Sequence, residues 1–520
     1  MEVVTGISGS RLSPGLQYLL VDCMSSDVEP LGKKVVRGSI WMIGLRWSMR
    51  LLGFVNTIIL ARLLTPDDFG LIAMTVLATG FVMALTEAGS AQALIRHPDP
   101  QRVHYDTAWT INVLLGLAAG LVIAVMAPLA PFYFDDGRIT GVLLVTALST
   151  AIAGFGNIGA TDFRRDFQFG RQFWLQFWPR IASFIVTVAL AVAWRSYWAL
   201  ILGWLAGSVA QLVVSYVMHP YRPRFSLGAR AEMLGFSMHA SLSSLAWFLE
   251  QRLDQIVLGG IVRPATLGLY YLASNLAEMA TRELVAPLSP VIYSAYSRIH
   301  TDGERMFAAV RKSVGAAALL GFGASLGLYA VAREFILSIY GPQWVGGVLL
   351  LEILALSALG ACIRTVTLPL LTAQGRQRAT NIASWAQVAA LAVLLPLAYR
   401  FAGGEGVAGL RAAMEIAAAA VSMTLAFAPY KGLLAGVCRS FARPLLAGAA
   451  MVAAVRASQA LLPLDPMPSL CLNVPLGALV YVTLVLLLWR LAGRPEGAES
   501  GILEQLVDAR GSLARRFQRP

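Results

Sequence analysis

The sequence predicts an all-α polytopic membrane protein of about fourteen transmembrane helices, two six-helix lobes in a parallel pseudo-twofold repeat plus two extra helices. Three observations predict it. Hydrophobic residues make up 57% of the chain and charged residues 13%, where a soluble protein carries about 25% charged, and mean hydropathy is +0.66. Lys and Arg alternate between connections. A short motif recurs 198 residues after its first copy.

Long apolar runs bounded by charge, Pro or Gly clusters define the spans. The first six are Gly38–Leu60, Leu71–Leu94, Ala108–Pro128, Ile139–Ala160, Phe173–Trp194 and Ser196–Met218. The next six are Gly235–Val262, Leu267–Tyr293, Ser313–Ala332, Val345–Leu371, Asn381–Phe401 and Val407–Tyr430, followed by Ala442–Leu462 and Leu470–Leu491. The domain reading follows: a disordered cytoplasmic leader at 1–35 with Met24 as an alternative start, an N-terminal lobe at 36–220, a C-terminal lobe at 233–430, two additional helices at 441–492, and a cytoplasmic amphipathic tail at 493–520. In that tail Ile502, Leu506, Leu513 and Phe517 fall near one helical face, which suits an interfacial helix.

Basic residues test the count independently, because cytoplasmic connections collect them. The N-terminus, even-numbered loops and C-terminal tail hold 27 of the 41 Lys and Arg, counting Arg443 and Arg490 at span edges. The odd-numbered loops hold only Arg62, Arg138, Arg195, Arg263, Arg333 and Arg400. Both termini are therefore expected in the cytoplasm. The net charge of +12 reflects basic loops meeting anionic membrane lipids, so no nucleic-acid partner is implied. Cys23, Cys362, Cys438 and Cys471 form no CxxC pair, and the five histidines show no metal-ligand spacing. No metal or cofactor is expected.

The repeat pairs Ile58-Ile59-Leu60, Pro66 and Gly70-Leu71 with Ile256-Val257-Leu258, Pro264 and Gly268-Leu269. Six spans separate the copies, so both point the same way, about an axis along the membrane normal. Transporters built like this bind substrate between their lobes and alternate access by rocking.

Intramembrane charges are the candidate functional residues. A central Arg costs roughly 2.5 to 3.5 kcal/mol to insert while a Leu, Ile, Val or Phe returns about 0.3 to 0.6, so Arg46 and Arg50 nearly cancel the apolar gain of the first span. Four apart, they share a face with Ser39, Gly53 and Thr57 nearby, so this helix is expected to border a wet, cationic interior. Arg252 and Arg364 complete the expected substrate-binding set. Glu87, Glu250 and Asp254 are expected to serve ion coupling or act as counter-ions, and pairing of Arg46 or Arg50 with Glu87 or Asp254 is the competing reading. Glu278 with Arg282, and Arg411 with Glu415, are spaced four apart and read as structural ion pairs. Two readings fit Arg180, lining the cavity or snorkelling to an interface, and Trp174 and Trp178 nearby favour the second.

Four stretches resemble a known family. Leu60-Ala61-Arg62-Leu63-Leu64-Thr65-Pro66-Asp67-Asp68-Phe69-Gly70 resembles the first outer loop of bacterial oligosaccharide flippases, the Wzx type of the MATE-like (multidrug/oligosaccharidyl-lipid/polysaccharide) exporter superfamily. Asp254-Gln255-Ile256-Val257-Leu258-Gly259, running on to Leu267-Gly268-Leu269-Tyr270-Tyr271, resembles their seventh-span signature, and Arg164-Arg165-Asp166-Phe167 and Gly341-Pro342-Gln343-Trp344 resemble their loop motifs. The resemblance covers about residues 36–430. It implies movement of undecaprenyl-diphosphate-linked oligosaccharide between leaflets of a bacterial inner membrane, for exopolysaccharide, capsule or O-antigen assembly, with polymerase or export machinery as further partners. Arginine suits a diphosphate, offering a permanently charged fork.

Two other functions compete. A cation-coupled multidrug exporter on the same scaffold would want an acidic, aromatic lining, which intramembrane arginines oppose. A polysaccharide polymerase or ligase needs a structured outer loop with catalytic groups, and the outer loops here are short and carry no Ser-His-Asp or paired-carboxylate arrangement. The chain is therefore not expected to be an enzyme.

Overall fold

The computed structural model describes residues 31–86, 93–95, 97–234, 237–299, 303–428 and 434–493. Thirteen long helices are numbered here: α1 (Leu31–Leu63), α2 (Pro66–Thr86), α3 (Arg102–Met126), α4 (Arg138–Gly154), α5 (Phe169–Trp194), α6 (Trp198–Met218), α7 (Ser237–Gly259), α8 (Pro264–Leu284), α9 (Gly303–Ala330), α10 (Val348–Ala373), α11 (Gln377–Phe427), α12 (Leu434–Leu461) and α13 (Pro466–Leu491). Among the described residues there is no strand. Residues 31–35, expected in a disordered leader, are helical instead. Nothing in Leu31–Leu63 breaks a helix, and Pro30 immediately before it suits a helix start. The rest of the leader and nearly all of the tail lie outside the described residues.

Nine helices among the described residues are long and apolar enough to cross a membrane, ten if the bent pair Arg138–Gly154 and Ile158–Arg165 counts as one. The chain is a multi-pass membrane protein. Length and composition alone do not establish a count of fourteen. Helices α1, α7 and α8 fall outside the nine, and these are the helices that carry Arg50, Glu250, Asp254 and Glu278. Helix α11 is two helices joined at a kink, where Ala402 leaves helical geometry and Gly403 takes φ +57° and ψ −143°, a conformation open to glycine.

Local chemistry sets the joint between α1 and α2. Thr65 and Asp68 cap each other: the Asp68 N–H donates to Thr65 Oγ1 at 3.3 Å, and the Thr65 N–H donates to Asp68 Oδ2 at 3.0 Å. Pro66 at the first position, with Asp67 and Asp68 in the first turn, completes a favourable N-terminus.

That joint is half of a reciprocal contact. A Cβ on Gly70 would strike the Pro264 carbonyl, and a Cβ on Gly268 would strike the Pro66 carbonyl. The two copies of the repeat thus pack on each other through equivalent residues, as a twofold axis requires. The same end carries further ties. Gln343 Nε2 and Trp344 Nε1 donate to the Ala61 carbonyl at 2.8 and 2.9 Å. Arg62 donates to the carbonyls of Ser338 and Ile339, and Tyr133 donates to the Ile256 carbonyl at 2.9 Å. Phe69 meets the buried Trp344 edge-on at 4.9 Å between ring centroids. One hydrophobic core spans this end, joining Leu60, Phe69 and Leu71 to Tyr270, Tyr340 and Trp344. Away from the seam, α12 packs on α9 and α13 on α12.

Candidate functional site

A cavity of about 1290 Å³ opens behind this closed end, lined by α1, α2, α5, α6 and α8. On α1, Arg50, Gly53 and Thr57 all line it, because residues three and four apart share a helical face. The Arg46 side chain and all of Glu87 lie outside the described residues. Arg50 forms an ion pair with Glu283, at the far end of α8. Asp254 is instead held by Tyr270 and Gln255, and local spacing does not reveal Glu283. The signal was an adjacent Arg282-Glu283 pair inside an apolar run.

Arg180 lines the same cavity, its Nη2 lying against Gly53. The snorkelling expectation is corrected here. Trp174 and Trp178 stack on each other at 5.4 Å, but the cavity-lining Gln176 and Arg180 are each two positions further on, about 200° around the helix. One helix therefore presents indoles on one side and a guanidinium on the other.

The remaining predicted residues gather on α7, α8, α10 and α11, beside a smaller cavity of about 320 Å³. Arg364 pairs with Glu250 and, at 3.1 Å, with Glu415. Arg411 lies 3.0 Å from Glu415 and also donates to the Glu250 carbonyl. Close approach of α10 to α11 makes this geometry, since a Cβ on Gly360 would strike the Glu415 carbonyl. Asp254 is fully buried, accepting the Tyr270 hydroxyl at 2.6 Å and the Gln255 N–H at 2.8 Å. Arg364 thus has two acidic partners on other helices, although its own helix offers none within four residues. Arg252 does not line the large cavity; it meets Glu278 at 3.6 Å, and Glu278 borders both cavities. The Arg282 side chain, expected as the partner of Glu278, lies outside the described residues.

Histidines also come together where linear spacing shows nothing. His97 and His104 reach Glu232 at 3.6 and 3.2 Å, and the three groups have metal-ligand proximity. Each imidazole Nδ1 already accepts a backbone N–H, from Asp99 and from Gln101. Both rings therefore carry their proton on Nε2; His104 donates it to Glu232, and that of His97 faces the same carboxylate at 3.6 Å. A metal on Nε2 would push the ring proton to Nδ1, against those amides, so the cluster is a clasp between the 97–104 segment and the connection from α6 to α7.

A many-helix membrane protein with a large cavity, lined by arginines and their acidic partners, behind a reciprocally sealed end is a transporter by class. Residues 59–349 match the family described as polysaccharide biosynthesis protein, and the chain belongs to that family. Over 333 residues it is 22% identical to the lipopolysaccharide biosynthesis protein WzxC of Escherichia coli (strain K12), covering 63% of this chain and 68% of that one. Over 336 residues it is 25% identical to the succinoglycan biosynthesis transport protein ExoT of Rhizobium meliloti (strain 1021), covering 62% and 66%. Among solved structures, the fold matches lipid II flippase MurJ in an inward closed conformation, with a TM-score of 0.70 at 14% identity over 87% of this chain and 99% of that one. An inward-facing MATE family transporter of the MOP superfamily matches at 0.55, with 15% identity over 75% and 96%. Of these, ExoT is named a transport protein, MurJ a flippase and the MATE protein a transporter.

Proposed function

We propose that this chain is a flippase that moves undecaprenyl-diphosphate-linked oligosaccharide units from the cytoplasmic to the periplasmic leaflet for exopolysaccharide, capsule or O-antigen assembly. One observation carries the reading: Arg50 and Arg180, from different helices, face a single cavity large enough for a sugar headgroup. Placing a guanidinium inside a membrane protein is costly, and a diphosphate is a ligand that repays it. The names of the E. coli and Rhizobium relatives support the polymer context.

In this reading the lobes at 36–220 and 233–430 rock about the seam, the helices at 441–492 flank the second lobe, and both termini face the cytoplasm of a bacterial inner membrane. The cavity then opens inward while the Arg62, Gln343 and Trp344 ties close the periplasmic side. Arg252 and Arg364 act at one remove, holding the acids of the second lobe, and Glu250 and Asp254 are the carboxylates placed to couple an ion. A cation exporter would need a cavity without these arginines.

The test is complementation of a deletion strain. Arg50→Ala is expected to reduce polymer export at least about tenfold with membrane protein level unchanged, and Arg50→Lys to restore part of it, since losing a charge-assisted bond costs about 1.5 to 3 kcal/mol. Normal export by Arg50→Ala combined with Arg180→Ala would remove the cavity reading.

A further inference from the structure

Glu283 is the unexpected group in this cavity. An anion-binding site gains nothing from a carboxylate, yet Glu283, on the last turn of α8, occupies Arg50 of α1 across the space between them. The Arg50 side chain is 40% exposed and that of Glu283 17%, so the pair borders the open cavity while its acid is the more buried partner. Arg180 reaches the same place from a third helix, lying against Gly53 one turn along from Arg50. Two guanidiniums therefore converge where Glu283 is already in place, while Glu278, the other carboxylate bordering this cavity, is met by Arg252 from outside it.

We infer that Glu283 is a built-in counter-anion that sets a charge threshold, admitting headgroups with two adjacent phosphate charges and excluding those with one. This rests on the flippase reading above. A monoanionic phosphodiester that takes Arg50 merely replaces one anion by another and strands Glu283 in a poorly hydrated place, so the exchange brings no gain. A diphosphate diester carries a charge on each phosphorus. It engages Arg50 and Arg180 together, and the second charge-assisted interaction offsets the displaced carboxylate. The surrounding bilayer is full of monoanionic phosphodiester headgroups that a bare pair of arginines would also bind. Discrimination built by raising the cost of the wrong ligand is what such a competing charge supplies.

The experiment uses the full chain in phosphatidylcholine nanodiscs, with a labelled short-prenyl diphosphate-linked N-acetylglucosamine as probe and phosphatidylglycerol as the monoanionic competitor. Wild-type protein is expected to bind the probe with an apparent Kd that admixed phosphatidylglycerol changes by less than about twofold. Glu283→Gln is expected to bind the probe about tenfold more tightly in phosphatidylcholine alone, and to lose about tenfold when phosphatidylglycerol is admixed. Glu283→Asp, which keeps the charge, restores exclusion. A purely structural role for Glu283 would shift stability or probe affinity without creating sensitivity to phosphatidylglycerol. Probe binding by Glu283→Gln that phosphatidylglycerol leaves unchanged overturns the inference and spares the flippase reading. Strong competition by phosphatidylglycerol in the wild-type protein also overturns it, and requires no variant to fold. Failure of the wild type to bind the probe overturns both.

Discussion

Trp344 donates its indole N–H to the carbonyl of Ala61 at 2.9 Å, tying the turn before α10 to the last turn of α1. Gln343 shares that carbonyl at 2.8 Å. The bond therefore adds to a seam that sequence-distant residues build together.

Replacing Trp344 by Phe keeps a ring beside Phe69 and removes this N–H. A neutral hydrogen bond contributes about 1 kcal/mol net, so the closed end is expected to open about fivefold more often. Spin labels at the exposed Leu129 and Arg333 would report it as a larger population of long distances. An unchanged distribution would mean the bond does not hold the seam.

Arg364 stands between two carboxylates, Glu250 and Glu415, in a site with little water. Arg364→Met takes the paired guanidinium from the Glu250 carboxylate and leaves Glu415 to Arg411 alone, and removing one partner of a buried pair costs about 3 to 5 kcal/mol. Adding Glu250→Gln to Arg364→Met is expected to recover part of that loss. Thermal unfolding in detergent measures both, and strict additivity of the two substitutions would argue against direct coupling.

Orientation is tested by thiol chemistry on whole cells. Cysteines placed at Leu129 and Glu405 are expected to react with an impermeant reagent from outside, and cysteines at Gln168 and Gln377 only after the membrane is opened. The reverse pattern would invert the topology and place the cavity mouth on the other side.

The connection between α6 and α7 is strapped onto α3, and its docking is expected to depend on pH. Tyr221 donates to Asp106 at 2.5 Å, Ser226 and Ala229 bond to Thr110 and Thr107, and Asn157 donates to the His219 and Tyr221 carbonyls. Burial holds the His219 imidazole below its ordinary pKa; Arg171 and Arg222 add to this, and Asp162 at 3.5 Å opposes it. The folded strap thus prefers neutral His219. As pH falls below about 6.5 the released strap gains the proton first, so docking weakens until the lower folded pKa is passed. Once the slower intrinsic exchange at lower pH is divided out, amide protection across 219–229 should fall between pH 7 and 5, and His219→Gln should flatten that response.

Much of this was legible in the chain. Hydropathy marked the helices, and the 198-residue repeat named Pro66, Gly70, Pro264 and Gly268, which meet in reciprocal contact. Glycine is required at both positions because backbone meets backbone there, and this is the kind of constraint that leaves a trace in sequence. The four-residue spacing of Arg411 and Glu415 likewise gives a pair, at 3.0 Å.

What the sequence determined by itself was which helices carry charge and roughly which face bears it, because helical periodicity is local and fixed at 3.6 residues per turn. Which charge meets which was decided only in three dimensions. Arg50 with Glu283, Arg364 with Glu250 and Glu415, Arg252 with Glu278 and Arg180 against Gly53 all join different helices. Such partners depend on how each helix is rotated and crossed against its neighbours, and packing between elements far apart in the chain sets those angles.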